Sequence, residues 1–330
     1  MKKRKFVGML LALLGCKPEV GDPVSLIRGP SILAVRGEPA EADPRRDQTV
    51  TYEVLAVDVE GRIPAPDSTV NRPALWAICS TPKPPVEANA VSSDCVDGEK
   101  LPGQYGFSLT GFSSKMPFDA CSLFGPNPPP AKEDEAQIRP RDPDVTGGYY
   151  LPIRVSLWIP EGQRRKGMAG QDTLVAFGFE RISCGLANVD SKTARQFEET
   201  YTLNKNPRLS GLRVTSPTVA EVRAGTVFHV PRNASVTFEA SWHQESVESF
   251  PVYDIESRTL QTRRESMVVA WYATGGTFEH DSSGRGETEI ETVTSNQWTA
   301  GDPGDVHMWL VLRDNRGGVD FAAYDLVVDP

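Results

Sequence analysis

The sequence predicts an all-β chain folded as two antiparallel sandwiches, and three observations predict it. Valine, isoleucine, threonine and aromatic residues gather in short runs, several of which alternate apolar and polar with a period of two. The 27 prolines and 28 glycines interrupt the chain at close intervals, which suits strands joined by turns and leaves no long 3.6-residue stripe for a helix. At 330 residues the chain exceeds the usual single domain of about 100 to 150, so two units are expected, each able to bury a core.

The chain opens MKKRKFVGMLLALLGC. Lys2, Lys3, Arg4 and Lys5 make a basic head, and Phe6 to Leu14 an apolar run shorter than the roughly 20 residues a permanent span needs. Residues 1–15 therefore read as a signal peptide. Leu13-Leu14-Gly15-Cys16 resembles a bacterial lipobox. That resemblance implies diacylglycerol transfer to the Cys16 sulfur, cleavage between Gly15 and Cys16, and acylation of the new amino group, with palmitate as an expected chain. The lipid bilayer is then a partner through acylated Cys16, because several acyl chains anchor stably where one binds reversibly. Lys17, standing where enterobacterial lipoproteins carry an aspartate as a retention cue, leans towards the outer membrane, facing periplasm or cell surface.

The formal charge is −9, and it becomes −13 without residues 1–15, which carry four basic and no acidic side chains. An acidic body does not seek phosphate backbones, so nucleic acid is disfavoured as a partner. Beyond Cys16 stand Cys79, Cys95, Cys121 and Cys184, an even number in a chain addressed to an oxidising compartment, which predicts two disulfides. Four cysteines allow three pairings, and the loop-rich stretch around them favours Cys79 with Cys95 or with Cys121. No C-x-x-C occurs, which argues against zinc and redox chemistry.

A tether spans residues 16–23, and a first sandwich 24–190. Within it, Asp47 to Gly61 places Val50, Tyr52, Val54 and Ala56 on one face, with Thr51 and Glu53 on the other. Ala74 to Cys79 is a fully apolar strand whose Trp76 belongs to the core. From about 80 to 146 the pattern dissolves into a Pro-rich insertion, where Pro126, Pro128, Pro129, Pro130, Pro140 and Pro143 exclude a central strand or helix. Tyr149 to Pro160 and Asp172 to Cys184 return to strand chemistry around a basic loop at 161–171. Residues 191–206 form a connector with helical character in SKTARQFEET, ending at Asn206-Pro207.

The second sandwich, 207–330, repeats the first. Leu209 to Val214 resembles Leu26 to Val35, Val236 to Trp242 resembles Val50 to Val54, and Val268 to Thr274 resembles Ala74 to Thr81. Met308 to Arg313 then answers Ser156 to Pro160, and Phe321 to Val328 answers Leu174 to Ile182, so the halves read as weak copies of one unit. Gln244 to Glu265 reads as a long polar loop over the sandwich edge, and Asp314-Asn315-Arg316-Gly317-Gly318 as a tight turn. The run WTAGDPGDVHMWLVLRDNRGGVDF resembles the closing strands of bacterial immunoglobulin-like and polycystic-kidney-disease-like domains. This implies immunoglobulin-like sandwiches used for spacing or binding, with no catalytic residue. The whole chain looks like the two-module envelope lipoproteins of Gram-negative bacteria.

No G-x-S-x-G elbow is present, and His229, His243, His280 and His307 occur singly without an H-E-x-x-H. Asp302 with Asp305, and Asp314 with Asn315 and Asp320, are candidate calcium ligands because loop carboxylates supply hard oxygens; a turn-forming role explains them without an ion. No cofactor is expected. The reading is a lipid-anchored, non-catalytic binding or spacer module whose further partner is another envelope protein or a glycan. The alternatives are a surface adhesin or carbohydrate-binding lipoprotein, stacking sugar on Tyr272, Tyr253 or Phe250, and an envelope hydrolase seated in the Pro-rich stretch.

Overall fold

The computed structural model describes residues 23–63, 74–82, 90–97, 110–127, 145–159 and 173–330. The leader, Gly15 and Cys16, much of the Pro-rich stretch and the basic loop at 161–171 lie outside the described residues. The first half forms β1 (Ser31–Glu38), β2 (Glu41–Ala42), β3 (Thr49–Asp58), β4 (Gly61–Arg62), β5 (Leu75–Ile78), β6 (Thr110–Lys115), β7 (Gly148–Trp158) and β8 (Thr173–Ser183). The short helices α1 (Ser93–Asp97) and α2 (Ala120–Phe124) flank β6. α3 (Ser191–Thr200) occupies the connector, capped by Asp190, whose carboxylate accepts the Lys192 and Thr193 backbone N–H groups.

The second half forms β9 (Leu209–Ser216), β10 (Ala220–Val222), β11 (Val227–Pro231), β12 (Ser235–Trp242), β13 (Ser249–Asp254), β14 (Thr259–Arg264) and β15 (Met267–Ala273). It closes with β16 (Thr277–Phe278), β17 (Ser282–Arg285), β18 (Val293–Thr299), β19 (Gly304–Asp314) and β20 (Val319–Asp329).

The sheet orders reveal one topology used twice. In the second half β9, β12, β18 and β16 follow the A-B-E-D order of an immunoglobulin sheet, and β20, β19 and β15 follow G-F-C. The first half repeats this with β1, β3 and β6 in one sheet and β8, β7 and β5 in the other. Even the parallel pairing of a short strand on the last strand recurs, β2 on β8 and β11 on β20. The weak sequence copies are thus copies of a strand order.

Two sequence expectations change. The Pro-rich insertion is not free of regular structure, because it holds α1, α2 and β6, and β6 pairs with β3. The prolines from Pro126 onward follow β6, and β6 takes an edge position, so they do not interrupt a ladder. The polar stretch 244–265 is also not a plain loop but the β13–β14 hairpin, which buries Phe250 and Val252.

Burial explains the apolar runs. In β3, Tyr52, Val54 and Ala56 face the first core, where Tyr52, Trp76 and Phe112 stack with centroids 5.5 to 6.2 Å apart. Leu55 and Val57 point the other way. They meet Trp309 and Val311 of β19, whose alternate residues Met308, Leu310 and Leu312 fill the second core with Trp271 and Trp298. Strands buried on both faces read as continuous apolar sequence, as Leu55-Ala56-Val57 and Met308-Trp309-Leu310-Val311-Leu312 do. The four main sheets therefore stack in series, the β1-β3 sheet lying on the β19-β20 sheet.

Trp309 is 1 % exposed at this junction. Trp309→Ala should cost about 3 to 5 kcal/mol and split a single calorimetric unfolding transition into two, because the cores lose the contact through which they unfold together.

Candidate binding groove at the junction

The DNRGG turn builds one side of the junction. Asp314 accepts the backbone N–H groups of Arg316 and Gly318 at 2.8 Å each, and its other oxygen takes the Asn204 amide at 3.1 Å. Gly317 sits at φ +97°, where a Cβ would also come within 3.1 Å of Tyr150, so the turn requires glycine there. This folds Arg316 inward. Its Nε donates to Glu265 at 2.7 Å, one Nη to Glu248 at 2.8 Å and the other to the Thr202 carbonyl at 3.1 Å, with the Phe250 ring 4.7 Å beneath.

Arg181 answers from the first half. It pairs with Glu41 at 3.3 Å and donates to Thr146 at 2.8 Å and to the Tyr201 hydroxyl at 3.3 Å. Tyr201 and the Asn204 backbone N–H donate to the same Glu41 carboxylate at 2.7 and 2.8 Å, so the connector is stitched between two buried arginines. The acids Glu41, Glu248, Glu265 and Asp314 outnumber Arg181 and Arg316. Burial, with the Asp314 charge beside it, pushes the Glu265 carboxyl up to about 7 against the pull of Arg316. Burial also raises Asp314.

Beside this network a cavity of about 240 Å³ opens between β1 and β8, walled by Leu33, Val35, Phe177, Phe179 and Tyr150. Arg313 stands at its edge, its guanidinium donating to the Leu33 carbonyl at 2.8 Å. A chamber of about 10 Å³ adjoins it, sharing Val35, Phe179 and Gly317 and lined by Tyr52 and Glu180. Strand alternation makes this chamber polar: in Phe179-Glu180-Arg181, Glu180 is the residue turned inward. Gly37 admits it, since a Cβ there would lie 2.1 Å from a Glu180 carboxylate oxygen. Glu180 is 3 % exposed and Tyr52 1 %. Neither Glu180 Oε1 nor the Tyr52 hydroxyl has a hydrogen-bond partner among the described residues. Burial and the nearby Glu41 and Glu38 hold the Glu180 carboxyl well above the carboxylate range.

Of the residues singled out from sequence, Asp314, Asp320, Phe250 and Tyr272 come to the junction, and the rest fall elsewhere. Cys79 bonds Cys95, and Cys121 bonds Cys184; closing loops of 16 and 63 residues contributes roughly 3 to 4 kcal/mol each by restricting the unfolded chain. Asp302 is exposed and pairs with Arg232 at 2.8 Å. Asp305 and Asp314 stand near opposite ends of β19, roughly 30 Å apart, and Asp320 pairs with Arg36 at 3.2 Å. Among the described residues no three His, Cys, Asp or Glu side chains gather as a metal set. His229 pairs with Asp329 and His307 with Asp325, while His243 and His280 lie at the surface beside glutamates. Phe250 is buried under Arg316, and Tyr272 is partly buried against the junction core. Sequence reasoning missed Glu180 and Arg316. A charged residue at an inward strand position marked the first; nothing local marked the second.

The strand orders define a two-module immunoglobulin-like sandwich protein with a groove at its junction. No protein family matches the sequence, and no curated protein matches it. Among solved structures the D0-D1 domain of intimin is similar at 10 % identity, with 89 % of this chain and 98 % of that chain covered and a TM-score of 0.21. The D00-D0 domain of intimin gives 6 %, 90 %, 100 % and 0.24, and domains 4 and 5 of the S-layer protein SbsC give 9 %, 91 %, 100 % and 0.20. The immunoglobulin-like topology is given by the strand order of the two halves. Among the described residues no helix is long and apolar enough to cross a membrane.

Glu265 titrates near 7 when folded and near the ordinary 4.5 when unfolded. The folded state thus keeps a proton that the unfolded state releases, so this contribution is complete below about 4.5 and lost as pH rises through about 7. The melting temperature should fall between pH 5 and 7.5, and Glu265→Gln should shrink that fall.

Proposed function

We propose that the chain is a lipid-anchored, non-catalytic envelope protein whose two sandwiches act as one rigid binding or spacer module. The module bounds are 24–190 and 207–330, with a connector between them. The carrying observation is where the tether meets the body. Ser25 and Ile27 pair with Ala273 of the second sandwich, through N–H to carbonyl bonds of 2.9 and 2.8 Å, and Ile27 is buried in the junction. The chain thus enters the body where the sandwiches meet, at Ser25, nine residues after Cys16. Nine residues reach at most about 32 Å, so acylation of Cys16 would hold the junction within that distance of a membrane surface. The buried junction supports a body that moves as a unit. Mass spectrometry of the membrane fraction should find a mature chain beginning at acylated Cys16; an unmodified Cys16 in a chain beginning at Met1 overturns the reading.

A specific observation favours glycan binding as a second reading. Tyr150, Phe179 and Trp158 lie on the outer face of the β5-β7-β8 sheet, 38, 44 and 38 % exposed. Trp158 stands about 20 Å or more along β7 from the other two, a spacing that an extended oligosaccharide can bridge while stacking on the aromatic rings. Oligosaccharides that bind there should quench tryptophan fluorescence, and Trp158→Ala should abolish that quenching.

A further inference from the structure

We propose that the groove between β1 and β8 binds a primary ammonium group carried on a short unbranched alkyl stem. Two acceptors lead to this. Glu180 Oε1 and the Tyr52 hydroxyl are both buried, both unpartnered among the described residues, and both line the inner chamber. Polar groups left in that state cost stability, and each calls for a partner such as a water, an ion or a ligand group. The chamber, about 10 Å³, holds one group the size of a water molecule. An ammonium is that size and brings three donors and a positive charge. A planar guanidinium is too large, and a quaternary ammonium brings no donor.

Charge is compatible with this. Burial, with Glu41 and Glu38 nearby, keeps the Glu180 carboxyl protonated, and a cation beside it would favour release of that proton. The neighbouring cations are engaged elsewhere: Arg36 with Glu38 and Asp320, Arg181 with Glu41, Arg316 with Glu265 and Glu248, Arg313 with the Leu33 carbonyl. The outer groove, of about 240 Å³, is walled by Leu33, Val35, Phe177 and Phe179, which suits methylenes leading inward as a lysine stem lies along apolar surface. Such a group could come from a free alkylamine or from a lysine side chain.

This inference deepens the binding-module reading, yet its test measures affinity alone and is independent of where the protein resides. Calorimetric titration of the purified full-length chain would use n-pentylamine, a capped lysine peptide and 1-pentanol. Pentylamine should bind at least tenfold more tightly than pentanol, and the peptide should bind as well if the stem belongs to a protein. Glu180→Gln and Tyr52→Phe should each weaken amine binding at least tenfold, and Phe179→Ala should weaken it too. Without ligand, Tyr52→Phe should melt no lower than the parent, since the hydroxyl it removes has no partner, and this shows that binding loss is not unfolding. Equal affinity for amine and alcohol, wild-type binding by both Glu180→Gln and Tyr52→Phe, or no binding of either amine overturns the proposal.

Discussion

Arg316 is a buried guanidinium on a five-residue turn, and much of the junction is arranged to satisfy it. It takes Glu265 from the strand border before β15, Glu248 from the start of the β13 hairpin, and the Thr202 carbonyl from the connector, while Phe250 closes its face. Desolvating a charge is costly unless every donor is met. Each of those elements therefore has its position set by the same side chain. The geometry also explains the turn: Asp314 is spent on its backbone N–H groups, which leaves the arginine free to point inward.

The two copies solve one packing problem by different means. The second closes its core with Trp271 and Trp298, whose ring N–H groups find Ser283 at 2.9 Å and the Gly275 carbonyl at 3.1 Å, and it needs no cross-link. The first also centres on a buried tryptophan, Trp76, yet long stretches separate β5 from β6 and β6 from β7. Its two disulfides tie α1 back to the end of β5 and α2 to the end of β8. Between the copies, β3 and β19 give both faces to apolar neighbours, so neither sandwich presents a wet face there.

Glu180 breaks that pattern. It occupies an inward strand position where a hydrophobic residue would pack, and Gly37 makes room for it. A buried ionisable residue with an unpartnered oxygen at such a position marks it as kept for something other than stability.

What the sequence by itself determined was periodic. Alternation in β12, the apolar run at β19, the helical SKTARQFEET and the DNRGG turn follow from side-chain spacing and local backbone preference, and the repeated order of these segments made the two copies legible. The β13–β14 hairpin and β6 were not, because their residues gain their packing partners only from distant parts of the chain: Phe250 beneath Arg316, Phe112 against Trp76. The pairing of four cysteines, the stacking of one sandwich on the other, and the meeting of Arg181, Glu41, Tyr201 and Arg316 were decided by tertiary structure alone. Those contacts join residues up to hundreds of positions apart, and no local propensity carries the information about which distant charge a buried arginine will meet.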